Sequence, residues 1–158
     1  MNKEELITLL KQYKENKAKL KIRLKELKNE RIRLKYIDFD TNMTTAYGNN
    51  QDIHSKNQIS NKVLRKIEEN DMKISELNKK IEELEKEVRE LRTKVEAIED
   101  RLIVLKYKEK EILTAYYIDG RTAEDIGNRL YFQLFNQTRS SRHIQRIIEK
   151  ATEKMIKL

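Results

Sequence analysis

The chain contains no cysteine and no proline, and only three glycines, Gly48, Gly120 and Gly127. Without cysteine there is no disulfide and no thiolate chemistry, and a cytoplasmic location is expected. Without proline, and with glycine so rare, almost nothing opposes long helices. Aromatic residues are 6% of the chain, which is little core material for a globular fold of 158 residues. No run of about 18 apolar residues is present, so no membrane span is expected. The first residues, Met-Asn-Lys-Glu-Glu, lack the apolar centre of a signal peptide. No glycine-rich phosphate cradle occurs, and the two histidines, His54 and His143, lie in different segments. Metal ligation by His54 is not expected, and no cofactor is. The many carboxylates follow the spacing of a solvated helix face rather than of an acid–base pair, so an enzyme is not expected.

Charge is what the chain has in abundance: 39% of residues are Asp, Glu, Lys or Arg, with a formal net charge of +8. Residues 1–37 carry 12 basic against 5 acidic side chains, and residues 121–158 carry 8 against 4. Residues 61–105, with 11 against 12, are neutral. Basic ends suit a polyanion such as DNA. For the first segment the alternative is that its cations lie against the acidic run Glu82, Glu83, Glu85, Glu87 and Glu90.

Apolar periodicity then divides the chain. A first helix is expected over residues 1–37, with Leu6, Tyr13, Leu20, Leu27 and Leu34 every seven residues and Leu10, Lys17, Leu24 and Arg31 between them. Residues 38–60 are rich in Asn, Thr, Ser and Asp, with a turn signal at Gly48-Asn49, and read as a mobile polar loop. Asn42-Met43-Thr44 matches a glycosylation pattern but, with no secretion signal, carries no weight. A second helix is expected over 61–107. Ile67, Ile74, Ile81, Val88, Val95 and Leu102 occupy one heptad position, and Val63, Asn70, Leu77, Leu84, Leu91, Ile98 and Leu105 the other. From Val63 to Leu105 it would reach about 65 Å. Mostly β-branched residues at one position and mostly Leu at the other favour a parallel two-stranded coil. The helix could pair so with its copy in a second chain, or the first helix could fold back on it as an antiparallel hairpin.

The pattern changes over residues 108–158. Lys108–Ile118 reads as a short helix stopped by Asp119-Gly120. Thr122, with Asp125 three residues on, can cap the next helix, whose inner face is Ile126 and Leu130. Gly127 stands where the next helix must come close. A final helix begins near Thr138 or Ser140, with Ile144, Ile148, Ala151 and Met155 on one face. Arg139, Ser141, Arg142, His143, Gln145, Arg146 and Lys150 cover the rest. Arg and Gln are suited to base edges, and Lys and Ser to phosphates. The fold class expected is therefore all-α: a long antiparallel coiled-coil helical hairpin followed by a small C-terminal helix-turn-helix domain. A homo-oligomer, most simply a dimer, is expected over a monomeric hairpin, which would bury only a narrow seam.

The segment Glu109–Lys157, with Lys-Glu-Ile-Leu-Thr-Ala-Tyr-Tyr-Ile-Asp-Gly-Arg-Thr-Ala-Glu-Asp-Ile-Gly-Asn-Arg-Leu and then Ser-Arg-His-Ile-Gln-Arg-Ile, resembles the helix-turn-helix of region 4 of sigma-70-type factors. The whole chain is similar to small phage-encoded transcriptional regulators of the RinA/ArpU-like group. That resemblance implies a sequence-specific regulator of phage or prophage genes that binds double-stranded DNA, with Arg142, His143, Gln145 and Arg146 as candidates for the contacts. Arg139, Ser141 and Lys150 join them as DNA-binding candidates by their chemistry. Where that family joins its two helices by a glycine and a couple of residues, this chain has Tyr131–Ser140, a longer and strongly aromatic stretch. Two other readings stand beside the regulator. One is a small-terminase-like DNA-packaging subunit. The other is a coiled-coil adaptor that contacts RNA polymerase, for which the aromatic stretch Tyr131–Phe135 speaks.

Overall fold

The computed structural model describes residues 2–48 and 59–157, and side chains for 2–37 and 64–157. Every regular element among the described residues is helical. Helix α1 spans Lys3–Gly48 and α2 spans Ile59–Ile103. Helix α3 (Tyr107–Leu113) continues into a wider π-helical turn, Thr114–Ile118. Helix α4 (Ala123–Asp125) runs through a second π-helical turn, Ile126–Leu130, into α5 (Tyr131–Phe135). Helix α6 spans Ser141–Ile156. No described helix is long and apolar enough to cross a membrane.

Helix α1 is longer than its sequence pattern suggests. Residues 38–48, expected in the polar loop, continue the helix as far as Gly48. Thr, Asn and Asp each cost a helix only a fraction of a kcal/mol, and no proline or glycine precedes Gly48 to stop it. At the other end of the expected loop, Ile59 and Ser60 already belong to α2. Residues 49–58, with His54, lie outside the described residues, as do the side chains of Asn42 and Thr44.

The chain divides into two compact units. The second, Lys21–Arg89, holds α1 from Lys21 to its end and α2 from its start to Arg89. On α2 the covered positions are those of the heptad reading: Ile81, Leu84 and Val88 are buried, and Ile67, Asn70, Ile74 and Leu77 half-buried. On α1, Leu27 is buried, and Leu20 and Leu34 are half-buried. The intervening series keeps Leu10, which is buried as expected, but beyond it is displaced by one residue. Leu24 is 39% exposed, and Lys17 and Arg31 are exposed too, whereas Asn16 and Arg23 are half-buried and Glu30 is buried. A seven-residue repeat can be split four-then-three or three-then-four, and both splits keep the same sevens. The apolar side chain of Leu24 suggests the first, and α1 adopts the second.

Arg23 and Glu30 on that covered face are satisfied by ion pairs. Arg23 meets Glu87 at 2.7 Å and Glu26 at 2.6 Å. The Glu30 carboxylate accepts from Lys80 at 2.6 Å and lies 3.3 Å from Arg33. Arg31 pairs with Glu85 at 2.7 Å. Two of the five carboxylates in the acidic run therefore neutralise α1 cations, which favours pairing over DNA contact for this part of the basic first segment.

The first unit, Met1–Leu20 with Glu90–Leu158, is broader than the C-terminal segment drawn at residue 108. It takes in the start of α1 and the end of α2. Leu6 and Leu10 of α1, Ile98, Leu102 and Leu105 around the end of α2, and Leu113, Ala151 and Met155 form one core cluster. Each fully buried leucine contributes about 1.5–3 kcal/mol. Glu99 fastens the α1 side, accepting from Tyr13 Oη and Lys17 Nζ, each at 2.7 Å. A second cluster joins Ile112, Ala115, Ala123, Ile126, Tyr131, Ile144 and Ile148. Glu109 reaches both ways: it accepts from the Lys106 backbone N–H at 3.3 Å, capping α3, and from Lys154 of α6 at 2.5 Å.

Three carboxyls, Glu30, Glu99 and Glu109, are held below their ordinary range, chiefly by hydrogen bonds from Lys80, Lys17 and Lys154 respectively. A depressed carboxyl stabilises the fold above its unfolded pKa, and that contribution disappears as pH falls through the lower folded value. The midpoint of thermal unfolding should therefore hold steady from neutral pH to about 5 and decline below about 4.5. The triple variant Glu30→Gln, Glu99→Gln, Glu109→Gln should be less stable at neutral pH and flatten that decline. Melting curves from pH 7 to 3 read both.

Candidate nucleic-acid interface

The last helix begins where the sequence gives it a cap. The Ser140 hydroxyl accepts from the His143 backbone N–H at 3.4 Å, at the long end for such a bond. Ile144, Ile148, Ala151, Thr152 and Met155 then turn inward. A helix that buries this face must present the opposite one, and there Arg142, Gln145, Arg146 and Lys150 are exposed. Ser141 and His143 are half-buried at its edge. Gln145 also borders a cavity of about 390 Å³ with Lys3, Ile7, Tyr116, Tyr117 and Glu149. Of the seven residues singled out in the sequence, six thus lie on α6, four exposed on its open side and two half-buried at the edge.

Arg139, the seventh, precedes the helix in the connection that the sequence pattern does not explain. The connection begins after α5, where Asn136 takes a left-handed conformation (φ 52°) and ends the helix. Arg139 is held at both its backbone and its side chain. Its N–H donates to the Gly127 carbonyl at 3.1 Å, and its guanidinium donates to Gln137 Oε1 at 2.8 Å. Its own carbonyl stands so close to Gly127 that a Cβ there would meet it at 2.1 Å. The small residue at 127 thus answers to the backbone of the connection, with the Ile144 side chain 3.4 Å away as a lesser constraint. The preceding turn obeys its signals: Gly120 has φ 71°, and the Thr122 hydroxyl accepts from Asp125 N–H at 3.2 Å.

The expected second helix extends past Leu130 as α5, and Tyr131 is its anchor, only 2% exposed. The Phe135 ring packs against it at 4.9 Å between centroids. Lys108 of α3, absent from the residues that the sequence points to, has its Nζ 4.6 Å from the Tyr131 ring centre and 5.4 Å from that of Phe135. The Arg139 guanidinium lies 5.8 Å from the Tyr131 ring centre. Cations over aromatic faces are attracted by the ring quadrupole. Burial pushes the Tyr131 hydroxyl up, but hydrogen bonding from Lys108 and then Arg139 outweighs it and leaves the phenol below its ordinary value. No sequence signal marks Lys108. It sits in the alternating run Lys-Glu-Lys-Glu and is distinguished only by the ring that folds over to it.

His143 records the field of this region. Its pKa is lowered first by desolvation and then by Arg139, Lys108, Arg146 and Lys150. None of those four cations, nor Arg142, pairs with a carboxylate among the described residues. Elsewhere in the same unit, Lys14, Lys17, Arg121, Arg129 and Lys154 each do. The start of the open face of α6 and its flank therefore gather five cations that make no ion pair among the described residues, while Glu149 and Glu153 stand exposed further along the same helix. No group of three or more His, Asp or Glu among the described residues is placed to hold a metal ion. No protein-family model matches the chain, and no curated protein or solved structure is significantly similar to it.

Proposed function

We propose that this protein is a sequence-specific, double-stranded-DNA-binding transcriptional regulator that acts in the cytoplasm on phage or prophage genes. In this reading α4 with α5 and then α6 constitute a helix-turn-helix, with α6 as the helix that enters the major groove. The observation that carries it is the carboxylate-free group of cations around His143: Lys108, Arg139, Arg146 and Lys150. Like charges held together without counter-charge cost stability, and a polyanion is the partner that relieves them. The chemistry of the open face suits base reading as well as phosphate contact, since Arg142, Gln145 and Arg146 follow one another at helical spacing.

Helices α1 and α2 form the antiparallel coiled-coil hairpin of this proposal. The order of the ion pairs supports it, since Arg23 meets Glu87 while Glu30 meets Lys80: positions rise on one helix as they fall on the other. Self-association into a dimer is supported by the apolar side chains that unit 2 leaves open. Ile22 is 56% exposed and Tyr36 70%, and a cavity of about 520 Å³ is bordered by Tyr36, Ile37 and Leu77. Two copies would present two reading helices to two half-sites. One observation favours a second reading, an adaptor to RNA polymerase: Phe132, within the aromatic stretch, is 53% exposed.

The test is retention of duplex fragments from the gene's own neighbourhood, against random competitor, across a salt series, with molecular mass measured in parallel. A regulator should retain one fragment, lose affinity steeply between about 50 and 200 mM salt, and have the mass of a dimer. Polymerase capture without fragment selection would replace it by the adaptor. A ring-sized mass would instead point to a DNA-packaging subunit.

A further inference from the structure

We propose that the long connection between α5 and α6 builds a dedicated seat for one backbone phosphate of the duplex, formed by Lys108, Arg139 and His143 over the buried Tyr131. This rests on the DNA-binding reading above and deepens it. It adds to the open face of α6 a residue from a different helix, and it gives the Tyr131–Ser140 stretch a task.

Three elements converge on the seat. Lys108 comes from α3, Arg139 from the connection, and His143 from the first turn of α6. Tyr131 is the common floor. Its ring lies under the Lys108 ammonium and near the Arg139 guanidinium, at 4.6 and 5.8 Å from the ring centre. Lys108 is half-buried, so its head is aimed and not free to sweep the surface. Arg139 is fixed by its backbone bond to Gly127 and its side-chain bond to Gln137. Aiming two cations at one place, with no carboxylate between them, is unfavourable until an anion arrives. The two ring faces offset part of that repulsion while the seat is empty. A phosphodiester offers two unesterified oxygens, enough to accept from both cations and from the imidazole at once.

A connection of two or three residues could not make this arrangement. Tyr131 needs the extra turn of α5 to come under Lys108. Arg139 needs the segment after Asn136 to return to Gly127. The left-handed Asn136 makes that reversal. Phosphate contacts of this kind fix the register of a reading helix without selecting sequence. The seat would set how deeply α6 enters the groove.

The seat also predicts a proton. The groups facing His143 are Lys108 from α3, Arg139 from the connection, and Arg146 and Lys150 from α6 itself, all cationic. They and desolvation keep the free imidazole below its ordinary value, and a bound phosphate would raise it. Binding should therefore take up a proton in the window between the two values, and affinity should rise as pH falls through it.

The experiment uses the full chain, the retained fragment and a random duplex of equal length. Lys108→Gln is compared with Lys110→Gln, which removes the same charge from an exposed position of the same helix. The expected result is that Lys108→Gln weakens both duplexes by the same factor, roughly tenfold, and lowers the salt slope by about 0.9, the value of one phosphate contact. Lys110→Gln should change little, and His143→Gln should abolish the gain in affinity at low pH. Equal losses for Lys108→Gln and Lys110→Gln would overturn the seat, because the charge would then act only diffusely. If the chain does not distinguish the two duplexes while Lys108→Gln still weakens both, the regulator reading falls and the seat stands.

Discussion

Gly127→Ala is expected to destabilise the protein by about 3 kcal/mol, at the upper end of what overpacking costs. The new methyl carbon would stand 2.1 Å from the Arg139 carbonyl oxygen and 3.2 Å from its carbon. Both atoms are backbone, so no rotamer change can relieve the clash. The same two residues are joined by the 3.1 Å bond from Arg139 N–H to the Gly127 carbonyl, and moving the connection away breaks it. Such a shift would also carry off the Ser140 cap and loosen Ile144 from its cluster. Gly120→Ala is the comparison. Nothing lies within 4 Å of its added Cβ, so only the left-handed backbone (φ 71°) penalises it, by about 1–2 kcal/mol. Urea unfolding of both variants reads the difference. A smaller loss for Gly127→Ala than for Gly120→Ala would mean that the connection does not approach as closely as described.

That contrast shows what the sequence can and cannot convey. A glycine inside a helical pattern signals close approach, and Gly127 is closely approached. The pattern does not say that the neighbour is a loop carbonyl twelve residues on. From Ile67 on, helix α2 is legible position by position because each heptad site carries an apolar side chain or Asn70. Helix α1 is not, because Arg23 and Glu30 occupy covered sites by pairing with α2 charges, while Leu24 and Ile22 are left outside. Periodicity counts apolar residues and is blind to a charge satisfied across an interface. The face of α6 is legible for the opposite reason, its inward and outward residues differing sharply in character. Lys108 is hidden because its role depends on Tyr131, 23 positions away, and no local pattern links the two. The helical state of residues 38–48 is hidden too, because several weak helix formers in a row resemble a break although none is strong enough to make one.

Replacing both Arg142 and Arg146 by Ala should lower affinity for the selected fragment at least about 30-fold, since each well-placed arginine is worth about 1–3 kcal/mol of discrimination. The loss should be selective: binding to random duplex should fall far less, because Lys108, Arg139 and Lys150 still meet phosphates. Helix α6 should be undisturbed. Both side chains are exposed, neither pairs with a carboxylate among the described residues, and the inward face from Ile144 to Met155 is unchanged. Removing two mutually repelling charges should leave the stability within about 0.5 kcal/mol of the parent, or raise it. Retention by competition reads the first effect and a melting curve the second. The variant Lys150→Gln separates position from specificity, because a side chain that meets only phosphate supports selected and random duplexes alike, and its removal should weaken both by the same factor. An unchanged affinity in the Arg142→Ala, Arg146→Ala protein, with its fold intact, would remove α6 as the reading helix. The cations around His143 would then have to face another polyanionic surface, and the exposed Phe132 would become the stronger lead.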